Sequence, residues 1–318
     1  MMNTQQRPKT RRGEAERAKL HKEAERRWQK LGREHPELAD TIAFGRGLVA
    51  RYIDELPAAG RIALTPEAAR EKLAAGIPLL EDEDLDLDLP GIRAFFSSLC
   101  LWAGEQPDLA DGAYRVRRAI WRGNLVVDDL VGAALAGDEG KITATADRIG
   151  VLPTLLQTLT GFTVSAALME TARGLEPLLS DEADDGGGRW LEGICPICGG
   201  PALLAELQGS EGRRVLRCAA CGGGWRIARS RCPHCGNDDA RTQHYLAAEG
   251  EAEKYRVEMC DRCHGFIKSV TSFAPTPAEL LTIEDAAMLH LDAAARERGY
   301  TATPDVGEVE RESAERGA

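Results

Sequence analysis

Apolar residues recur at spacings of three and four through residues 36–180, and strand-like alternation is scarce there. The stretch from Leu38 through Ile42, Phe44, Leu48, Val49, Tyr52, Ile53 and Leu56 carries this period, which puts its apolar side chains on one face of a helix. Pro36 opens it and Pro57 and Gly60 close it. Thr65-Pro66-Glu67-Ala68 reads as an N-cap, a first-turn proline and the start of another helix. Further helices are expected over 91–103, 107–122, 124–136, 138–149 and 153–175. An all-α domain over 35–180 follows. From residue 190 the pattern changes. Val215-Leu216 and Tyr255-Arg256-Val257 have strand character and run toward cysteine pairs. Helix returns over about 276–298, where Leu281, Met288, Leu291 and Ala295 share one face. Thr282 and Asp285 are spaced as a capping box there.

Polar segments punctuate this pattern. Residues 1–34 form a charged arm, expected to be a solvated helix from Glu14 with a disordered start. Glu81 to Asp88 holds six acidic residues in eight and reads as a solvated loop, with Leu85, Leu87 and Leu89 turned to the core. The acidic, Gly-rich stretch 181–189 has nothing to bury and is a linker. The expected organisation is therefore an arm (1–34), a helical domain (35–180), the linker (181–189), two modules (190–230 and 231–272), a C-terminal helix (273–303) and a tail (304–318).

Composition narrows the function. The net charge of −11 in 318 residues argues against a general binder of nucleic acid or anionic membrane. No apolar run is long enough to span a bilayer. Arg11-Arg12 is followed by Gly13-Glu14-Ala15-Glu16 rather than an apolar stretch, so an export signal is rejected and a cytoplasmic location expected.

Eight of the nine cysteines form four Cys-x-x-Cys pairs: Cys195/Cys198, Cys218/Cys221, Cys232/Cys235 and Cys260/Cys263. In a reducing compartment such pairs favour metal or redox chemistry over disulfides. Gaps of 19 and 24 residues separate first from second and third from fourth, the spacing of two four-cysteine ribbons, although a pairing of first with third is also open. Tetrahedral sulfur suits Zn, which would be structural, or a single Fe, which would cycle between ferrous and ferric. Glycine after Cys198 and Cys235 permits a turn whose amides point at sulfur, and Arg217, Arg226, Arg229 and Arg231 are candidates to offset thiolate charge. His234 and His264 flank the cysteines and are expected outside the metal shell. Cys100, in an apolar stretch, reads as a small buried hydrophobe. No nucleophile elbow, P-loop or dinucleotide fingerprint is present, and no enzymatic activity is expected.

Two Cys-Pro-x-Cys-Gly turns each followed by a further Cys-x-x-Cys, Trp225 after the second pair, Arg229-Ser230-Arg231 before the third, Met259 to Lys268 around the last, and the closing stretches Glu284 to Asp292 and Glu297 to Tyr300 together resemble the formate dehydrogenase accessory proteins of the FdhE family. The resemblance covers roughly 190–303. It implies an α+β multidomain protein with an N-terminal all-α domain, two tandem rubredoxin-like or zinc-ribbon modules and a C-terminal helix. It further implies a cytoplasmic assembly factor that binds the formate dehydrogenase catalytic subunit, with all eight paired cysteines holding two Fe or Zn ions. A homodimer is compatible with it. The alternatives are a zinc-ribbon nucleic-acid-binding protein and a rubredoxin-like electron carrier. Near-balanced charge over 189–270 and few aromatics weigh against the first, and the large helical half weighs against the second.

Overall fold

The computed structural model describes residues 12–179, 190 and 192–304. The expected disordered start, the linker 181–189 and nearly all of the tail lie outside the described residues. The chain divides into two units, one of residues 1–63 and 84–174 and the other of 64–83 and 175–318.

The first unit is helical. Helix α1 (Glu14–Glu34) buries Leu20, Ala24, Trp28 and Leu31, spaced four, four and three residues apart, against α2 (Ala39–Asp54). The charge on its other faces made the arm look solvated in the sequence, yet Trp28 is only 2% exposed. After the second unit's α3 (Pro66–Ala74), the first unit continues with α4 (Leu89–Ala103), α5 (Ala110–Trp121), α6 (Val127–Leu135), α7 (Glu139–Ile149) and α8 (Pro153–Leu175). Side chains of Asp88 and Asp138 accept from the amides of Gly91 and Lys141 and so fix the starts of α4 and α7. Leu156, Thr160, Thr163, Ala166, Ala167 and Leu168 are all buried, so α8 is enclosed on several faces, as an element at the centre of a bundle must be. Leu85, Leu87 and Leu89 of the acidic segment are half-buried, and an antiparallel bridge joins Arg61 to Asp86.

In the second unit α3 is capped by the Thr65 hydroxyl, which accepts from the Ala68 amide. The sequence pattern places this segment in the helical domain. It groups with the sheet because Leu79 and Leu80 donate their amides to the carbonyls of Pro196 and Ile197, at 2.8 Å each, and Leu79 is fully buried.

The strands are β1 (Ala202–Gln208), β2 (Arg213–Cys218), β3 (Gly224–Arg226), β4 (Gln243–Leu246), β5 (Tyr255–Cys260) and β6 (Gly265–Ser272). They form one sheet in the order β3-β2-β1-β6-β5-β4. Neighbours are antiparallel within each three-stranded half, and the halves meet through the parallel pair β1–β6, with Leu204 opposite Lys268 and Glu206 opposite Val270. The two modules therefore share a sheet rather than standing as separate beads. Leu204, Val257, Met259, Phe266 and Val270 from the sheet pack with Leu281, Met288, Leu291 and Ala295, the face read from the sequence.

That C-terminal region is two helices, α9 (Leu281–Ala287) and α10 (Leu289–Glu297), broken at Met288. The capping box does not form. Helix α9 begins at Leu281 with no side-chain cap, one residue before the threonine that would have to precede it. Among the described residues no helix is long and apolar enough to cross a membrane.

Candidate metal centres

Each four-cysteine cluster is built from two turns, the second of which follows directly on a strand, β2 at Cys218 and β5 at Cys260. In the turn at Cys195 the Cys195 amide donates to Gly200 O (2.8 Å) and the Gly199 amide to Cys195 O (2.9 Å). The turn at Cys218 repeats this with Gly223 and Gly222, and the turn at Cys232 repeats it with Asn237 and Gly236. Gly199, Gly222 and Gly236 have φ of 74°, 69° and 67°, the left-handed region where a Cβ is penalised. At the fourth turn the same place is taken by His264, with φ of 51°, a residue type that tolerates this region better than most. Its carbonyl accepts from the Thr301 amide at 2.8 Å, and its ring packs on Tyr300.

These turns bring together Cys195, Cys198, Cys218 and Cys221 in one cluster and Cys232, Cys235, Cys260 and Cys263 in the other. The open question of pairing is thereby answered in favour of first with second and third with fourth. Sulfur–sulfur distances include 3.6 Å (Cys195–Cys221), 3.5 Å (Cys198–Cys218), 3.8 Å (Cys232–Cys263) and 3.8 Å (Cys235–Cys260), and all four sulfurs of each cluster lie within 4.8 Å of one another. None of the eight is in a disulfide. A tetrahedron with metal–sulfur bonds of about 2.3 Å has edges of about 3.8 Å, so each cluster has the dimensions to hold one metal ion.

The surroundings favour thiolate. The Ile197 amide donates to Cys195 Sγ (3.4 Å), and those of Ala220 and Cys221 to Cys218 Sγ (3.3 and 3.5 Å). In the second cluster Asn237 Nδ2 donates to Cys260 Sγ at 3.4 Å. Without a cation the four thiols restrain one another. Donation from Cys195, then Cys198 and Cys221, holds Cys218 far below the usual thiol range, and donation from Cys232 and Cys263 does the same for Cys260. The partners are pushed up: Cys195 chiefly by Cys198, Cys221 chiefly by Cys195, Cys263 chiefly by Cys232, and Cys232, chiefly by Cys260, to about 12. Four thiols this close cannot all ionise unless a cation balances them.

The amide donors expected from the sequence are present at sulfur, whereas the expectation for Arg217 is corrected. Arg217 does not face sulfur. It donates to the Gly222 carbonyl (2.7 and 3.2 Å) and the Thr276 carbonyl (2.7 Å), and pairs with the fully buried Glu206 at 2.9 Å. Glu206 in turn accepts from the Thr276 amide at 2.9 Å. Arg217 thus ties the second turn to the sheet. Arg214 plays a similar part before the third turn, donating to Arg231 O (2.6 Å) while paired with Glu258. His234 lies outside its cluster, its Nε2 3.0 Å from Phe266 O, and burial pushes its pKa down. Cys100 is fully buried on α4 and belongs to neither cluster, and burial raises its thiol to about 12. The sequence reading missed Asn237, whose signal was an amide side chain directly after Cys235-Gly236, and Leu79–Leu80, which carry no motif.

Fold and site define a class: a helical unit joined to a sheet that carries two tetrathiol centres. No family model matches the chain. It is 28% identical over 133 residues to a protein from Aquifex aeolicus named "Protein FdhE homolog", covering 40% of this chain and 46% of that one. It is 31% identical over 114 residues to the protein of the same name from Shewanella oneidensis, covering 35% of this chain and 37% of that one. The chain therefore matches less than half the length of these curated relatives. The crystal structure of the FdhE protein from Pseudomonas aeruginosa shares the fold, with a TM-score of 0.56 and 22% identity over 90% of this chain and 94% of that one. The chain is thus similar over 114–133 residues to proteins named FdhE homolog, and it shares the fold of an FdhE protein.

Proposed function

We propose that this protein is an accessory factor in the maturation of formate dehydrogenase, acting in the cytoplasm without an enzymatic activity of its own. It holds the dehydrogenase catalytic subunit, and its eight paired cysteines bind two ions of Fe or Zn that keep the sheet unit in shape for that task. The observation that carries the reading is the agreement between the named relatives and two clusters of tetrathiolate dimensions. Closed sulfur shells leave no coordination position for substrate, which suits a scaffold better than a catalyst.

The test has two arms. Metal analysis of the purified chain should give two ions, falling to one in Cys195→Ser and to one in Cys232→Ser. Affinity capture from anaerobically grown cells should recover a formate dehydrogenase catalytic subunit, and the double variant should lose it. Unchanged metal content in both single variants would overturn the ligand assignment. Recovery of nucleic-acid machinery in place of a dehydrogenase would overturn the accessory role.

A further inference from the structure

The exposed face of α5 has no part in the metal centres. Tyr114, Arg117, Arg118 and Trp121 occupy positions i, i+3, i+4 and i+7 and so share one stripe about 10 Å long. The opposite side of the helix buries Ala113, Val116 and Ala119. Tyr114 is 59% and Trp121 84% exposed. Arg115 pairs with Asp111, whereas Arg117, Arg118 and Arg122 make no ion pair among the described residues. Uncompensated guanidinium groups stand out in a chain with 51 acidic and 40 basic residues.

Arginines near a helix C-terminus are favoured by the helix dipole, and that alone would explain Arg118 and Arg122. It does not explain two large aromatic side chains left in water beside them. Trp, Tyr and Arg are the residue types most enriched where binding energy concentrates at protein interfaces. A guanidinium recognises a carboxylate through two parallel hydrogen bonds. A nucleic acid would need a basic track extended over many phosphates, and one helix of twelve residues on an acidic protein does not supply it.

We propose that the Tyr114–Arg117–Arg118–Trp121 face of α5 is a docking surface for a short acidic segment of a partner protein, with carboxylates on the arginines and apolar side chains against the two rings. The surface is independent of the metal centres and of the accessory role.

The experiment uses the full, metal-loaded chain and fluorescence anisotropy of a short labelled peptide of alternating Glu, Asp and Leu. Its Gln/Asn/Leu counterpart and a single-stranded oligonucleotide serve as comparisons. The acidic peptide should bind, more weakly as salt rises, and Trp121→Ala and Arg117→Glu/Arg118→Glu should each weaken it at least about tenfold. Because these side chains are exposed, thermal melting of the variants should match the parent. Equal binding of the neutral peptide, unaltered binding by the variants, or binding of the oligonucleotide alone would overturn the proposal. So would sedimentation showing a dimer that Trp121→Ala dissociates, since the face would then belong to a second copy of the chain.

Discussion

Gly236 has a φ of 67° because the backbone must reverse tightly after Cys235. The same reversal follows Cys198 and Cys221. Gly236→Ala should cost about 1–2 kcal/mol through the left-handed backbone alone and release metal from the second cluster sooner. Calorimetry and chelator competition would show this, and an unshifted melt would mean the turn is not strained. Glu206 and Arg217 make a second single-residue test. Glu206→Ala leaves Arg217 buried and uncompensated, so a loss of about 3–5 kcal/mol is expected in chemical denaturation. A loss of only a few tenths would show that Arg217 finds water instead. Protons offer a third. In the metal-free clusters the neighbouring thiols raise Cys195, Cys221, Cys232 and Cys263, so a cation must displace their protons to bind. Affinity should therefore rise with pH and be lost as pH falls. Competition with a chromogenic chelator at about pH 6 and about pH 8 tests the sign, and a flat profile would remove the cysteines as ligands. The metal-ligand pattern was legible at this scale because spacing of cysteines is a local property. Asn237 and the real partners of Arg217 were not, because those hydrogen bonds depend on where β2 and the turns meet in space.

Among the elements, helices were readable where one face is apolar, as in α4 and α7, whose Asp caps also sit in plain sequence. Helix α1 was misjudged as solvated since four buried positions are outnumbered by its charges. The segment 76–83 was placed with the helices, although its Leu79 and Leu80 amides bind the backbone of the first cysteine turn. That strap gives a prediction at this scale. Leu79→Ala should open a cavity costing about 2–5 kcal/mol locally and speed chelator-driven metal loss from the first cluster only. Equal acceleration of both clusters would mean the strap acts on the whole unit. No periodicity announces such a strap, because its contacts are made by two backbone amides across more than a hundred residues of chain.

For the whole molecule, the sequence conveyed a helical part followed by cysteine modules, and it did not convey that the modules form one sheet. Hairpin pairing is local and follows from alternation. The parallel contact of β1 with β6 joins distant segments, and nothing in either strand names its partner. That contact also has a geometric consequence. The two three-stranded halves are related by a shift across the sheet, the leading strand of one against the trailing strand of the next. A repeat arranged like this carries matching ends, as the subunits of a filament do, and the same pairing would admit a third unit and a fourth. Growth is stopped at the borders, where β3 has three residues and β4 four, with the side chains of His244 and Tyr245 exposed. Such short outer strands give an incoming chain little to pair with. The chain encodes two units, the short borders keep other chains from adding to them, and lengthening β3 or β4 is the change most apt to turn the pair into a polymer.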